Sequence, residues 1–322
     1  MSFRRASQEA TVRRDPMQEF ANRIVEQLEK GVKPWVRPWD PLKCDGPQSP
    51  FNMATGHRYS GINVLILGMH PAAFQSGDPR FCTYKQAQDH QWQVNKGERG
   101  TTVFLYKPLE IDDDKQEDGK RVIPLMRTFT VFHPTQMTGV PPWTPPTLEQ
   151  APWRSDEATD IILKNSGVAM RIGGDRAFYS PKTDHMQFPP SVAFNNAAEE
   201  ACVRVHELGH ATGAAHRLNR DLSGTFGSKA YAFEELIAET ASSFIGMTLN
   251  IPTDIPNHIN YIGHWLSILK EDKKAIFRAA AAAQKAADWI LNLHPDYVAS
   301  HIACPERAPP TASPAVSHTA PA

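Results

Sequence analysis

The chain has 322 residues, of which 41% are hydrophobic, and this length is enough for two domains that each bury a core. Its formal net charge is −1, so the charge of the whole chain does not indicate a nucleic-acid partner. No apolar stretch approaches the roughly 20 residues that cross a bilayer, and the polar, basic N-terminus lacks a signal peptide's apolar core. The four scattered cysteines include no C-x-x-C pair, which is typical of free thiols in a reducing compartment. We therefore expect a soluble cytoplasmic protein with no membrane partner.

Charge is distributed unevenly along the chain. Residues 1–140 carry 19 Lys and Arg against 16 Asp and Glu, and six of these acids lie in one run from Glu110 to Asp118. That run is typical of a solvated loop, and the rest of the region is clearly basic. The first half therefore gives a mild electrostatic indication of a polyanionic partner.

Residues 15–137 form the first predicted domain. Apolar residues at helical spacing predict an amphipathic helix that ends near Gly31, with Phe20, Ile24, Val25 and Leu28 on its apolar face. Stretches rich in β-forming residues predict a small sheet further along, so this domain has α+β character. The remaining predicted elements are helices over residues 60–76 and 83–90, strands on either side of a turn at 96–100 within residues 94–106, and a strand over 125–132.

Three segments are predicted to lie outside the folded domains. Residues 138–154 contain five prolines and form the clearest domain boundary, a semi-rigid linker. Residues 304–322 are rich in Pro, Ala, Ser and Thr, a composition that does not build a packed core. We therefore expect this tail, and the polar residues 1–14, to be disordered.

Residues 155–303 form the second predicted domain, in which three short strands precede several helices. A small sheet followed by a motif-bearing helix and a second helix is typical of a zincin-like α+β fold. The strand over residues 176–180 is either the sheet edge to which an extended peptide adds or part of an ordinary hairpin. The predicted helices cover residues 156–165, 199–212, 234–248 and 260–292, the last range holding one or two helices, and the other strands cover 169–172 and 185–188.

The second domain carries the sequence His206-Glu207-Leu208-Gly209-His210. On a helix with about 3.6 residues per turn, two histidines four positions apart lie on one face and can bind one tetrahedral metal ion. We predict Zn²⁺, with another divalent transition metal as the alternative. Zinc lowers the pKa of a bound water to about 7, and Glu207 would accept its proton as the water attacks a carbonyl.

A chance match to this motif would not be followed by a second acidic helix at a suitable distance. Glu235 lies 25 residues after His210, and Glu239 follows one helical turn later on the same face. This arrangement resembles that of gluzincins, in which the first carboxylate binds the metal and the second orients a ligand histidine. We therefore predict Glu235 as the third ligand and Glu239 as the orienting carboxylate.

His216 is a second candidate for the third ligand. Residues 206–216 also match the metzincin pattern, in which a glycine at the position of Gly213 turns the chain so that a third histidine reaches the metal. That pattern requires a Met-turn, and the nearby Met247 falls within a predicted helix. The metzincin alternative also leaves Glu235 without a role, so Glu235 is preferred.

In the first domain, basic residues are interleaved with aromatic ones. Proteins that bind single strands combine a positive groove with aromatic rings on which bases stack. Composition alone still favours a core role, because most aromatic residues of a small α+β domain are buried. The candidate DNA contacts are Lys33, Trp35, Arg37, Arg58, Tyr59, Phe81, Tyr84, Lys85, Lys96 and Arg99, with Trp35, Tyr59, Phe81 and Tyr84 as the predicted stacking residues.

Seven segments match the motifs of a known family in the same order. In the first half they are residues 29–39, 55–63, 81–88, 94–101 and 130–136, and in the second half residues 206–220 and 231–239. On these segments the chain resembles ArdC-type antirestriction proteins over about residues 15–300, and it is also similar to the N-terminal part of conjugative TraC-type primases. It departs from the family pattern at His216, where a small polar residue is usual, and in its Pro- and Ala-rich tail.

The resemblance implies an N-terminal domain that binds single-stranded DNA, joined to a zincin-like metallopeptidase domain. It implies protection of incoming conjugative plasmid DNA from host restriction in the bacterial cytoplasm. Our own hypothesis, from the basic and aromatic first half joined to the metal motif, is that the second domain cleaves a host restriction protein. Two alternatives stay open: a DNA-coating protein with an inactive zinc site, and a plain cytosolic zinc protease. The presence of Glu207 argues against the first, because a structural metal site needs no general base.

Overall fold

A computed structural model describes residues 15–35, 49–112, 120–144, 155–225, 227–249, 251 and 261–302. Its mixed helix and strand content and its two domains confirm the predicted α+β class. The segments predicted to be disordered, most of the predicted linker, and Arg37 lie outside the described residues. Within the described part of the chain, no helix is long and apolar enough to cross a membrane.

The first domain combines short helices with a small sheet. Its elements are α1 (Pro16–Glu29), β1 (Phe51–Asn52), α2 (Ile62–Gly68), α3 (Pro71–Ser76), β2 (Arg80–Thr83), α4 (Tyr84–Asp89), β3 (Gln93–Val94), β4 (Thr101–Asp112), β5 (Lys120–Phe132) and β6 (Met137–Thr138). Four strands form a sheet in the order β1-β2-β5-β4, in which β1 and β2 are parallel and the other pairs are antiparallel. β3 and β6 form a separate antiparallel pair.

The helix predicted over residues 60–76 is interrupted in the structure. It is divided into α2 and α3, and His70 between them has an extended backbone conformation. The cause is Pro71, which has no N–H to donate and whose ring disfavours a helical conformation in the residue before it. At the first position of α3 the same proline is well tolerated, because that N–H would have no partner within the helix.

The strand–turn–strand unit predicted over residues 94–106 is also different in the structure. β3 pairs with β6, not with β4. The turn between β3 and β4 is fixed by Gln136, whose backbone carbonyl accepts from Asn95 and whose side-chain amide donates to the carbonyl of Arg99. These partners are about 40 residues apart in the chain, so local pattern could not predict them.

The second domain places a small sheet beside a group of helices. Its elements are α5 (Ser155–Ser166), β7 (Ala169–Ile172), β8 (Phe178–Ser180), β9 (His185–Phe188), α6 (Ala197–Ala211), α7 (Lys229–Leu249), α8 (Ile262–Glu271), α9 (Ala275–Leu291) and α10 (Pro295–Ile302). The strand order is β7-β9-β8, with β7 parallel and β8 antiparallel to β9. β8 therefore lies at an edge of this sheet.

α7 is the central helix of the second domain. Every residue from Glu234 to Leu249 is buried, and the helix packs against α6 and α9. Many residues on the packed face of α9 are alanines, which lets the two helices approach closely. A carboxylate buried in such a helix costs free energy unless it binds a cation or accepts hydrogen bonds. Glu234, Glu235 and Glu239 therefore require such partners.

The two domains share one apolar core. The buried face of α1 holds Phe20, Ile24 and Leu28, and the Phe20 ring packs edge-on against Phe277 of α9 with centroids 6.2 Å apart. α1 also contacts α8, and Asp15, which caps α1, forms an ion pair with Lys273. The first helix of the N-terminal domain is therefore part of the packing of the C-terminal helices.

We predict that Phe20→Ala destabilises the protein by about 3–5 kcal/mol, because it leaves a cavity between α1 and α9. Urea unfolding followed by circular dichroism measures this change. Glu26→Ala, on the exposed face of the same helix, is the control and should cost no more than about 0.5 kcal/mol. A loss below about 1 kcal/mol for Phe20→Ala would show that α1 does not contribute to the shared core.

Candidate metal centre

α6 presents the two motif histidines on one face. Its N-terminus is capped by Asn196, whose side chain accepts from the backbone N–H of Glu199, so the helix begins where the sequence provides a capping residue. His206 and His210 lie one turn apart and are both buried, with ring centroids 4.7 Å apart. The helix thus directs two imidazoles toward the same point.

Glu235 of α7 completes a set of three donors. The Nε2 atoms of His206 and His210 are 3.1 Å apart, and the Glu235 carboxylate oxygens lie 3.6 Å from His206 Nε2 and 3.4 Å from His210 Nε2. Donors that bind one tetrahedral ion at about 2.0–2.1 Å are about 3.3–3.4 Å from each other. The three side chains therefore fit one metal ion with little movement.

His216 does not take part in this group. Its side chain is largely exposed, and its Nε2 lies 3.5 Å from Asp184 and 2.8 Å from Arg217. Of the two candidates for the third ligand, the structure brings Glu235 to the histidines and leaves His216 on the surface.

The electrostatic environment of the three donors favours a cation. Burial lowers the pKa of His210, but the carboxylates of Glu235 and Glu234 more than offset this and raise it well above its usual range. Burial raises the pKa of Glu235, and the adjacent His210 and His206 more than reverse that effect. The negative charge of two buried carboxylates beside two imidazoles therefore favours a positive charge at the point where the three donors meet.

Glu234 contacts the outer nitrogen of one motif histidine, a contact that the motif spacing did not predict. Its Oε1 lies 3.2 Å from His210 Nδ1, opposite the nitrogen that faces Glu235. Glu239, the predicted orienting carboxylate, lies beside Lys33, with 3.7 Å between Oε1 and Nζ. The adjacent pair Glu234-Glu235 was the sequence pattern that could have indicated this, since neighbours on a helix diverge enough to reach both sides of one ring.

Arg220 holds Glu234 in place. Its guanidinium donates to both carboxylate oxygens of Glu234, from Nε at 3.0 Å and from Nη2 at 2.7 Å. It also donates to the carbonyl of Gly209 and to the hydroxyl of Thr212 at the end of α6. Arg220 therefore ties the loop after α6 to both helices of the centre, a role that the motifs alone did not reveal.

Glu207 lies next to His206 on α6. It is mostly buried and borders a cleft of about 260 Å³ together with His206, His210 and Glu235. The cleft is also lined by the edge strand β8 with its flanking residues and by Leu222, Tyr231 and Tyr261. The structure thus places a carboxylate, three metal donors and an unpaired sheet edge around one cleft.

The predicted DNA contacts have different environments. Trp35 is 3% exposed and Phe81 is fully buried, so neither ring has a face on which a base could stack, and these two predictions are incompatible with the structure. Lys33 is engaged by Glu239. Tyr59 is half-buried, whereas the side chains of Arg58, Tyr84, Lys85, Lys96 and Arg99 are exposed.

We predict that Glu234→Gln weakens binding of Zn²⁺ and Mn²⁺ by about 10- to 100-fold, because the carboxylate that orients His210 loses its charge. Competition with a fluorescent chelator measures the affinity. Glu239→Gln is the matched comparison on the same helix, and we expect a change of less than about threefold, well below the effect of an orienting carboxylate. A larger loss for Glu239→Gln than for Glu234→Gln would reverse the assignment.

Comparisons with known proteins agree with both halves of the chain. Residues 14–132 match the family described as the N-terminal domain of anti-restriction factor ArdC, and residues 157–282 match the family described as zincin-like metallopeptidase. A DNA primase TraC of Escherichia coli is 39% identical over 287 residues, which are 84% of this chain but 19% of the primase. Protein y4eC of Sinorhizobium fredii is 37% identical over 289 residues, covering 86% of this chain and 91% of that protein.

Solved structures show the same relationship. The metal-free crystal structure of antirestriction protein ArdC from plasmid R388 matches with a TM-score of 0.71 and 33% sequence identity, over 87% of this chain and 98% of that one. The Mn(II)-bound structure of the R388 protein matches with the same TM-score and 32% identity. With both of its domains and its fold accounted for by these relatives, the chain belongs to the ArdC family of antirestriction proteins.

Proposed function

We propose that this protein binds single-stranded DNA through its first domain and cleaves a host protein, a component of a restriction system, at the metal centre of its second domain. The observation that carries the proposal is the convergence of His206, His210 and Glu235 beside Glu207 in one cleft. By these two activities it would protect incoming plasmid DNA. The chain spans only 19% of the length of the TraC primase it matches, so no primase activity is proposed.

Zn²⁺ is the metal that we propose for the centre. Two imidazoles and one carboxylate are a donor set that zinc accepts, and all three side chains line the cleft, where they would hold the ion. The same donors also accept other first-row divalent ions. Which ion occupies the centre therefore depends on the metals available to the protein as well as on its affinity for each of them. A divalent ion at this position would polarise a carbonyl and lower the pKa of a water molecule.

Glu207 would act as the general base of peptide hydrolysis. Its carboxylate accepts a proton from the attacking water and returns it to the departing amide nitrogen. An extended substrate would lie along the edge of β8, because the unpaired N–H and C=O groups of an edge strand pair with a peptide backbone. This placement brings the scissile carbonyl over the centre and sets its orientation.

The proposed DNA surface is the part of the first domain around α4. Tyr84 and Lys85 begin this helix, and Lys96 and Arg99 lie in the turn after β3. α4 contacts β3, and both elements contribute to the small apolar cluster around Cys82, Ala87 and Met137, α4 with Ala87 and β3 with Val94. The Tyr84 ring is 45% exposed and retains a face for base stacking.

For the peptidase part, we predict that Glu207→Gln keeps the metal affinity within about threefold and reduces peptide hydrolysis by at least about 10²-fold, because only the general base is lost. Conjugation into a restricting recipient is the cellular measurement, and transfer should fall clearly below the level with the unmodified protein. A recipient that lacks the restriction system is the control, and transfer there should not change. Full protection by the variant would exclude proteolysis from the mechanism.

For the DNA part, we predict that the double variant Lys96→Ala/Arg99→Ala binds a labelled single-stranded oligonucleotide more weakly and with less salt dependence. The slope of log affinity against log salt should fall by about 0.7 for each phosphate contact that is lost. Lys164→Ala, an exposed lysine on α5, is the matched control and should leave the slope unchanged. An unchanged slope for the double variant would place the DNA surface elsewhere, and no binding at low salt by the unmodified protein would refute the DNA-binding role.

A further inference from the structure

The charges that line the cleft are of one sign. Among the described residues of its lining are four carboxylates and no lysine or arginine. Three of these carboxylates, Glu207, Glu234 and Glu235, belong to the proposed metal centre. The fourth is Asp221, which lies in the loop between α6 and α7. Asp221 is therefore the carboxylate of this cleft whose charge the metal centre does not use.

Asp221 presents its charge to solvent at the cleft. The residue is exposed, and its Oδ1 accepts a hydrogen bond from the backbone N–H of Ser223 over 3.0 Å and another from the Ser223 hydroxyl. The hydroxyl and then the N–H lower the pKa of Asp221 below its usual range, so the carboxylate is ionised at neutral pH. Within the part of the chain that the structure describes, Asp221 forms no ion pair. Its second oxygen can therefore accept from a ligand.

The loop that carries Asp221 is packed tightly against both helices of the centre. The backbone N–H of Arg220 donates to the carbonyl of Gly213 over 2.9 Å. A Cβ at Gly213 would lie 2.9 Å from Leu222 Cδ2, and a Cβ at Gly224 would overlap the backbone at the start of α7. The loop therefore holds Asp221 in one position, and a group that is already in place loses little entropy when a ligand binds.

Apolar side chains line the same cleft. Leu222 follows Asp221 in the loop, and Ala177, Phe178 and Pro181 belong to the edge strand β8 and its flanks. The Phe178 ring is 43% exposed, so part of it is available for contact. Lysine and arginine have long aliphatic stems that pack on apolar surface while the charged end reaches water or an acid. An apolar lining beside one ionised carboxylate therefore suits a long cationic side chain.

We propose that Asp221 is a specificity-determining residue, which binds the lysine or arginine side chain of a substrate peptide close to the bond that is cut. This inference rests on the proposed peptidase function and names its substrate class, an extended and positively charged protein segment. Asp221 also disfavours acidic segments, because like charges repel. Proteins that hold DNA carry basic segments of this kind, because they neutralise phosphates with lysine and arginine.

The test reads the residues around the cut in a mixture of peptides. The zinc-loaded full chain is incubated with blocked decapeptides of randomised sequence, and the products are sequenced by mass spectrometry. We expect lysine and arginine to be enriched about three- to tenfold at one position near the cut. Asp221→Asn keeps an oxygen that accepts from Ser223 but loses the charge, and it should abolish this enrichment. Asp221→Lys should enrich aspartate and glutamate at the same position, a reversal that a merely structural role would not produce.

Asp296→Asn is the matched control, because it removes an exposed carboxylate from α10, outside the cleft. It should keep the preference of the unmodified protein. If the unmodified protein cleaves peptides without this preference, or if Asp221→Asn keeps it, the inference fails and the peptidase function stands. If the unmodified zinc-loaded protein cleaves no peptide of the mixture, the proposed peptidase function fails and the inference fails with it.

A second measurement does not depend on turnover. In the Glu207→Gln background, fluorescence polarisation compares a labelled peptide carrying the selected lysine with the same peptide carrying norleucine, which keeps the stem and lacks the charge. We expect the lysine peptide to bind about three- to tenfold more tightly when Asp221 is present and equally tightly in Glu207→Gln/Asp221→Asn. Equal binding of the two peptides in the presence of Asp221 would overturn the inference.

Discussion

The close packing of α6 against α7 is the constraint on which the metal centre depends. Three donors from two helices converge only if the helix axes are near each other, and the contact between Gly209 and Ala238 allows this. A methyl group on Gly209 would lie 3.6 Å from Ala238, already in van der Waals contact, so a longer side chain there would separate the helices. Because Gly209 lies between the two motif histidines, the residue that permits the approach is part of the motif itself.

Burial of that interface explains the charged groups around it. A helix as buried as α7 can hold Glu234 and Glu235 only where imidazoles, a guanidinium and a metal ion offset their charge. Arg220 and His210 bind Glu234 from two sides, and this fixes the orientation of the ring whose other nitrogen faces the metal position. The same contacts serve the stability of the fold and the geometry of the site.

The two domains are joined more closely than their sequence motifs indicate. Trp35 packs on Trp265, its backbone carbonyl accepts a hydrogen bond from Ser243 of α7, and Lys33 forms an ion pair with Glu239. Residues that the resemblance placed in a DNA-binding segment are thus anchored to the helix that carries Glu235. Through Trp265, the same anchor supports the ring of Tyr261 at the cleft.

The sequence by itself determined the features that depend on local periodicity. The shared helical face of His206 and His210, the candidate base Glu207, the candidate ligand Glu235 and most helices and strands follow from spacing, capping and proline positions within short windows. For the same reason, the α+β class of the second domain could be predicted from the order of its elements.

Only the tertiary structure decided which faces meet. It brought Glu234 to His210, buried Trp35 and Phe81, paired β3 with β6, and left His216 on the surface. Each of these outcomes depends on contacts between residues that are close in space but not in a short sequence window. The sequence around an aromatic or acidic residue is the same whether its side chain faces a nucleic-acid base, a metal ligand or another helix. The role of the residue is therefore fixed only when its neighbours from the rest of the chain are in place.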